Sequence, residues 1–347
     1  MNASLAALPA TRGRSSYEGF RAVIKAVGTG KRGSRSLTHE EAHAATAQLL
    51  AGEVTPAQAG AFLIAMRIKG ETPEELAGMA RALGDARAGP DAPAGAPLVA
   101  CAGAYDGMVE APHLSLAAAV LAAAAGARIV VHCGDPLGPK HGTRPAQVLA
   151  ALGGPERPCV EESLAMLERS GVALVHAGVA VSGWDALTAL RDEIGLRSPL
   201  HTAEKLVGHL GATRFVVGHT HSSYRERILG ALELLGAQAA VAVRGMEGSD
   251  VVRAARPVAA EPGRVLDLPQ TPGSLLRGDG DPVVAARLTR AIATGAEHGP
   301  AATAAVLSAA VRVYAADLCP SPRDGVRLIT DAVAEGRAEA ALEALVV

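Results

Sequence analysis

The sequence predicts an α/β protein with a small N-terminal helical bundle and a larger domain whose mostly parallel central sheet is flanked by helices. Helix-start signals crowd the N-terminal quarter of the chain, and short β-branched runs alternate with helical stretches after it. The composition agrees, since 49 % of the 347 residues are apolar but only 2 % are aromatic. A core of Ala, Val and Leu suits closely packed helices and parallel strands.

The N-terminal quarter of the chain carries the helix-start signals. Thr38, with Glu41 three residues on, predicts a capping box. Two later Thr-Pro pairs place a capping threonine before a proline, which fits the first turn of a helix. Residues 1–16 are expected to form a flexible arm, and residues 17–87 a helical domain that some later helices complete. The helices predicted here are 17–27, 38–50, 55–70 and 72–83.

Five β-branched runs predict the strands of the larger domain, which we place at 98–347 after a Gly/Pro/Ala-rich linker at 88–97. Helical stretches separate these runs, so the sheet is expected to be largely parallel and covered on both faces. The predicted strands are 98–102, 127–133, 172–178, 213–219 and 239–245. The predicted helices are 114–126, 143–152, 161–169, 184–194, 201–210 and 222–236, followed by a helical region from about 281 to 346.

Composition and charge exclude several classes of protein. The formal net charge of −2 argues against a globally basic nucleic-acid binder. The four cysteines form no C-x-x-C pair and are expected to be buried thiols in a reducing cytoplasm. The longest apolar run, 114–127, is too short and too rich in alanine to span a bilayer, so no membrane partner is expected.

Long segments at both ends of the chain resemble the anthranilate phosphoribosyltransferase family. They are LTHEEAHAATAQLLAGE (37–53), TPAQAGAFLIAMRIKGETPEELAGMARAL (55–83) and AVLSAAVRVYAADLCPSPRDGVRLITDAVAEGRAEAALEAL (305–345). The resemblance implies transfer of a phosphoribosyl group from phosphoribosyl pyrophosphate to an aromatic acceptor, as in tryptophan biosynthesis. It also implies a Mg²⁺ cofactor and a homodimer formed through the helical part.

The stretch CAGAYDG (101–107) lies where the family has a G-T-G-G-D phosphate loop. Backbone amides in such a loop can cradle a pyrophosphate. Ala104 and Tyr105 replace two of the family's small residues, and a tyrosine fills space that glycine leaves open to phosphate. An altered phosphate loop and an ordinary strand–helix connection are therefore both open. The matching residues, implied to bind donor phosphate, are Gly103, Asp106, Gly107 and Ser115.

The segment VVHCGDPLGPKHG (130–142) matches the family's K-H-G-N segment and the loop that follows it. By position, Lys140 is implied to bind the donor and His132 the acceptor. A lysine in a loop at the carboxyl edge of a parallel sheet is well placed to meet an anion, and a solvated loop lysine is the alternative. Val131 stands where the family has a lysine before this histidine.

The segment RDEIGLRSPLHTAEKL (191–206) matches the region in which the family presents an arginine to the acceptor's carboxylate. Arg197 is the predicted residue, because a guanidinium suits bidentate binding of a carboxylate, with a surface ion pair as the alternative. His201, also implied to bind the acceptor, stands where the synthase has Asn. The R-x-x-x-H-T-x-x-K-L form is similar to a YbiB-like branch, paralogues associated with nucleic-acid binding.

The segment RGMEGSDVV (244–252) lies over the family's H-G-x-E-G-x-D-E metal motif. Glu247 and Asp250 remain and are implied to hold Mg²⁺, while Val251 replaces the second acid of the D-E pair. Helix-capping or salt-bridged acids are the alternative. Upstream, His219 and His221 follow a predicted strand, and we expect them to orient a ligand at the edge of the site.

A second hypothesis is a catalytically weak or inactive paralogue that binds single-stranded nucleic acid. Residues 1–36 are strongly basic, and a dimer would double the patch and form a phosphate-binding groove. A run of charge of this kind is more often a solvated face. The residues assigned to this patch are Lys25, Lys31, Arg32 and Arg35.

Overall fold

The computed structural model describes residues 17–30, 32–270 and 276–347. The predicted arm at 1–16 and Lys31 lie outside the described residues. The capping box predicted at Thr38 is confirmed, and Thr55 and Thr72 form two more, each with the side chain three residues on. The four N-terminal helices are α1 (Phe20–Gly28), α2 (His39–Leu50), α3 (Pro56–Lys69) and α4 (Pro73–Asp85).

A seven-stranded sheet forms the centre of the molecule, in the order β3-β2-β1-β4-β5-β6-β7. The first five strands of the chain pair in parallel, which confirms the predicted parallel sheet, and β6 and β7 are antiparallel. These last two strands were not predicted, because two or three residues show no period. The strands are β1 (Leu98–Ala102), β2 (Arg128–Cys133), β3 (Val172–His176), β4 (Arg214–Gly218), β5 (Ala239–Val243), β6 (Ala259–Glu261) and β7 (Arg264–Val265).

Eleven further α-helices follow β1 among the described residues. They are α5 (Ser115–Ala124), α6 (Pro145–Leu152), α7 (Val160–Ser170), α8 (Ala177–Ala180), α9 (Trp184–Ile194), α10 (Leu200–Glu204), α11 (Ser222–Leu234), α12 (Pro282–Ala293), α13 (Pro300–Ala315), α14 (Pro322–Ala334) and α15 (Arg337–Val346). The predicted helix at 201–210 is wrong in extent, because α10 ends at Glu204. Leu210 and Gly211 have φ of 54° and 82°, which an α-helix does not accommodate.

Two hydrophobic cores cover the two faces of the sheet. On one face, α5 and the C-terminal helices pack against Val99 and Cys101. On the other face, Leu98 and Ala100 point to α1–α4 together with α9, α10 and α11. Helices α10 and α11 pack directly on α4, so later helices complete the N-terminal bundle. Among the described residues, no helix is both long and apolar enough to cross a membrane.

Candidate active site

A cavity of about 330 Å³ opens between the helical bundle and the carboxyl edge of the parallel strands. Its wall is built by the loops after β1, β4 and β5, by α10 and the segment before it, and by α11. Arg67 and Glu71 contribute from α3 and the turn after it. In open α/β sheets, ligands bind outside the carboxyl ends of the strands, so this is the candidate active site.

Two cations on this cavity, one buried and one partly buried, lack a carboxylate partner among the described residues. Arg191 is 2 % exposed and donates to the carbonyl of Gly138 at 2.9 Å, while its Nε and Nη1 find no partner in the part of the chain that the structure describes. Lys205 Nζ donates to the carbonyl of Gly218 at 3.2 Å. Burial lowers the pKa of Arg191 to about 10 and that of Lys205 to about 8. Unpaired buried donors are costly, so the cavity is suited to an anionic ligand.

Arg197, the predicted carboxylate-binding residue, lines the cavity but already pairs with an acid. Its Nε donates to Asp106 Oδ2 at 3.0 Å, and its Nη2 makes a second bond to the same oxygen. Arg191 was not predicted, although it lies six residues earlier in the same matched segment. The available signal was a second arginine in that segment, in the last turn of the predicted helix 184–194.

The residues predicted to bind donor phosphate fall into different environments. Asp106 lines the large cavity, whereas Gly103 and Ser115 line a second cavity of about 10 Å³. A side chain at Gly103 would lie 2.5 Å from the backbone nitrogen of Asp250, so the turn there needs glycine. Gly107, with φ of 76°, lies against Gly142 and lets the loop after β1 hydrogen-bond to the loop after β2.

The ring of Tyr105 forms part of the cavity wall. It is 6 % exposed and packs edge-on against Trp184 and His201, with ring centroids 6.1 and 5.4 Å apart. The phenol ring therefore packs into the core on the bundle side of the sheet and leaves the large cavity open beside it. His201, predicted to bind the acceptor, also lines the cavity, and its Nε2 has no partner among the described residues.

Glu247 and Lys140, predicted as metal and donor ligands, form an ion pair at 2.6 Å. Glu247 also accepts hydrogen bonds from the backbone amides of Val109 and Glu110 at 3.1 and 2.9 Å. Glu247 lines the large cavity, whereas Lys140 does not. The carboxylate and the ammonium therefore neutralise each other.

Asp250, the second predicted metal ligand, is part of a buried network. Its Oδ2 lies 2.5 Å from a guanidinium nitrogen of Arg312 and accepts the hydroxyl of Ser115 at 2.7 Å. Arg312 is fully buried and also donates to the carbonyl of Ser115. The sequence did not reveal Arg312, because it lies in an alanine-rich helix 62 residues away from its partner.

His132, predicted to bind the acceptor, lies outside the wall of the large cavity. Its Nδ1 contacts the carboxylate of Glu204, and the ring of His209 is close by. By contrast, the pair expected at the edge of the site, His219 and His221, does line the cavity. Burial lowers the pKa of His219 to about 4, so this side chain is a neutral imidazole at pH 7.

The basic patch predicted for nucleic acid is partly neutralised. Arg35 pairs with Glu41, with two guanidinium–carboxylate contacts of 2.6 and 2.7 Å. Lys25 Nζ lies 4.3 Å from the centre of the Tyr17 ring, and Arg32 is exposed. Binding of nucleic acid by these residues stays a prediction.

Two family models match the chain over most of its length. The glycosyl transferase family helical bundle domain matches residues 21–86, and the a/b domain of the same family matches residues 109–339. The chain belongs to this glycosyl transferase family. The match agrees with the fold, since the bundle lies at α1–α4 and the sheet in the second part.

Relatives and solved structures that are similar to this chain include anthranilate phosphoribosyltransferases. Anthranilate phosphoribosyltransferase from Thermus thermophilus is 32 % identical over 88 % of this chain and 94 % of its own length. The enzyme from Methylobacterium sp. (strain 4-46) is 32 % identical over 95 % and 98 %. A crystal structure of the Thermus thermophilus enzyme superimposes with a TM-score of 0.78, at 31 % identity, covering 94 % of this chain and 98 % of that one.

A further solved structure is similar in fold. Anthranilate phosphoribosyltransferase from Saccharomyces cerevisiae, in complex with PRPP and Mg, has a TM-score of 0.76 at 16 % identity, covering 94 % of this chain and 96 % of that one. At this identity the likeness concerns the fold alone.

Proposed function

We propose that this chain transfers a phosphoribosyl group from phosphoribosyl pyrophosphate to an aromatic acceptor that carries a carboxylate. The observation that carries the proposal is the cavity at the carboxyl edge of the sheet. Arg191 and Lys205 lie in its wall, and no acid of residues 17–30, 32–270 and 276–347 pairs with them. The names of relatives at 32 % identity support the same reaction. Such a transfer needs no side-chain nucleophile, and positioning supplies the catalysis.

The donor would lie over the loop after β1, near Asp106 and Glu247. Gly103 and Gly107 fix that loop, while Ser115 steadies its end through Asp250. Lys140 would bind donor phosphate by exchanging Glu247 for a phosphate oxygen, since the ammonium now faces that carboxylate.

Mg²⁺ fits this donor end through the acids that border the cavity. Mg²⁺ usually takes one or two carboxylates together with substrate phosphates. Asp106 and Glu247 border the cavity, whereas Asp250 is held by Arg312 and would have to leave it to bind a metal. The bound ion would stabilise the departing pyrophosphate.

The acceptor would lie on the other side of the cavity, where Arg191, Arg197 and His201 meet. Two donors of Arg191 that have no partner within the described ranges could bind a carboxylate, and Arg197 would contribute once Asp106 turns to the donor. We further propose a homodimer formed through the helical part, where Ile68 is exposed. A cytoplasmic location fits the four free thiols.

Titration with phosphoribosyl pyrophosphate, with and without Mg²⁺, followed by anthranilate turnover, tests the proposal. We expect Arg191→Gln to raise the acceptor KM by roughly 10- to 100-fold, because a charged hydrogen bond contributes about 1.5–3 kcal/mol. The matched control is Arg323→Gln, which removes a guanidinium from an exposed ion pair with Asp267. Wild-type protein that binds no donor with Mg²⁺, but binds single-stranded DNA in a salt-sensitive way, contradicts the proposal and supports the nucleic-acid hypothesis.

A further inference from the structure

A buried cluster of two histidines and a glutamate lies outside the donor and acceptor cavity. His132 comes from β2, Glu204 from the end of α10, and His209 from the short turn that follows. The side chains are at most 1 % exposed. None of the three lines the large cavity, so the proposed transfer leaves them without a role.

The three side chains converge on one point. His132 Nδ1 lies 3.1 and 3.2 Å from the two carboxylate oxygens of Glu204, and His209 Nε2 lies 2.8 Å from Oε1. One ligand atom from each residue lies within 4.8 Å of the others. The histidine rings are T-shaped to one another, with centroids 4.9 Å apart, and each directs a ring nitrogen to the carboxylate.

This is a donor set that transition metals favour. Neighbouring ligand atoms around a tetrahedral Zn²⁺ with bonds of about 2.0–2.1 Å lie roughly 3.3 Å apart. The separations of 2.8–3.2 Å between the histidine nitrogens and the Glu204 oxygens require an opening of only a few tenths of an ångström, and the two histidine nitrogens lie within 4.8 Å of each other. Imidazole nitrogens disfavour Mg²⁺, so the site differs in kind from the donor end of the large cavity.

The geometry points to a structural site for one divalent transition-metal ion, such as Zn²⁺, held by His132, Glu204 and His209. The ion replaces the two hydrogen bonds between the imidazoles and the carboxylate. Those hydrogen bonds place the proton of each neutral imidazole on the nitrogen that would bind the ion, so binding moves it to the other ring nitrogen and the number of protons does not change. In His132 that nitrogen, Nε2, has no partner among the described residues.

His132 also lines the cavity of about 10 Å³, together with Tyr105 and Cys133, and this volume admits about one water molecule. Glu204 and His209 do not line it, so a water there would lie beside the His132 ring and not where the three ligand atoms converge. Because the ligands are buried, the ion enters as the chain folds, and its binding contributes to stability. The ion then ties β2 to the segment that carries Lys205 into the large cavity.

The test uses the full chain, unfolded with a chelator and refolded with or without Zn²⁺ or Co²⁺. We expect about one ion per chain by elemental analysis, a higher Tm with Zn²⁺, and the strong visible absorption of tetrahedral Co²⁺. Glu204→Gln and His209→Asn should lose the ion and the Tm response. The matched control His43→Gln, which removes a half-exposed histidine paired with Asp85 at 2.9 Å, should keep both.

Wild-type protein decides the matter even where a variant fails to fold. If refolded wild-type chain shows neither cobalt absorption nor a Tm response to Zn²⁺, the cluster is a hydrogen-bonded network and the inference is wrong. Retention of the ion in both variants would contradict it equally. The outcome is independent of donor binding, which the titrations above measure at the other site.

Discussion

At the scale of single residues, the acids of the candidate site are held by protein cations. Lys140 pairs with Glu247, Arg197 with Asp106 and Arg312 with Asp250. The sequence analysis assigned five of these six side chains to the site but did not predict how they pair. Arg312 was not predicted. An ion pair in the interior offsets the cost of its own desolvation only when both partners are present. Removing one partner of a buried pair is therefore expected to cost more stability than removing one partner of an exposed pair.

Substitution of Asp250 measures the contribution of a buried ion pair to stability, in protein without ligand. Asp250→Asn leaves the guanidinium of Arg312 buried without its counter-charge, and we expect a loss of about 3–5 kcal/mol in the free energy of unfolding. Urea denaturation at neutral pH measures it.

The control for Asp250 is Asp324→Asn, whose partner Arg327 is 78 % exposed. Exposed pairs contribute about 0–1 kcal/mol, so this variant should unfold close to wild type. A loss below about 1 kcal/mol for Asp250→Asn would show that the carboxylate does not neutralise the buried Arg312.

At the scale of helices and strands, local signals predicted the elements well. The capping box at Thr38 and the Thr-Pro starts at Thr55 and Thr72 begin helices where expected, because a cap involves residues three apart. The prediction of a helix at 201–210 was wrong in extent, because Gly208 and the positive φ of Leu210 interrupt an apolar pattern that is continuous in the sequence. Close helix packing was also invisible in the sequence.

Gly78 in α4 shows what that packing requires. A methyl group there would lie 2.2 Å from the carbonyl oxygen of His39 in α2. We expect Gly78→Ala to destabilise the chain by about 1–3 kcal/mol through overpacking, although alanine favours helix. Thermal unfolding measures the change.

Gly84 is the control in the same helix, because nothing lies within 4 Å of a methyl group built there. Gly84→Ala should raise the stability by up to about 1 kcal/mol. If Gly78→Ala proved as stable as Gly84→Ala, the close approach of α2 and α4 would be wrong.

At the scale of the whole molecule, the site forms where the helical bundle packs against the carboxyl edge of the sheet. Arg67 and Glu71 reach the cavity from the bundle side, and the loops after β1, β4 and β5 reach it from the sheet. The division of the chain at 88–97 and the dimer stay predictions. A large exposed apolar side chain on the bundle, Ile68 at 80 %, marks the expected dimer surface.

Light scattering tests the dimer. Two chains of 35.0 kDa give a dimer of about 70 kDa, and Ile68→Glu should shift it to the monomer, because a buried charge without a partner is costly. The control Val283→Glu changes a side chain that is 65 % exposed on α12, away from the bundle, and should stay dimeric. A monomeric wild type at micromolar concentration contradicts the proposal.

The sequence by itself determined the fold class, the five parallel strands and most helix bounds, because caps, turns and apolar periods act between neighbouring residues. It also directed attention to the segments that carry Asp106, Arg197, His201 and Glu247, all of which line one cavity. Only the tertiary structure decided which charges meet. Asp106 and Arg197 are 91 residues apart, and His132 and Glu204 are 72 apart. Their pairing depends on how the layers pack, which no local pattern records.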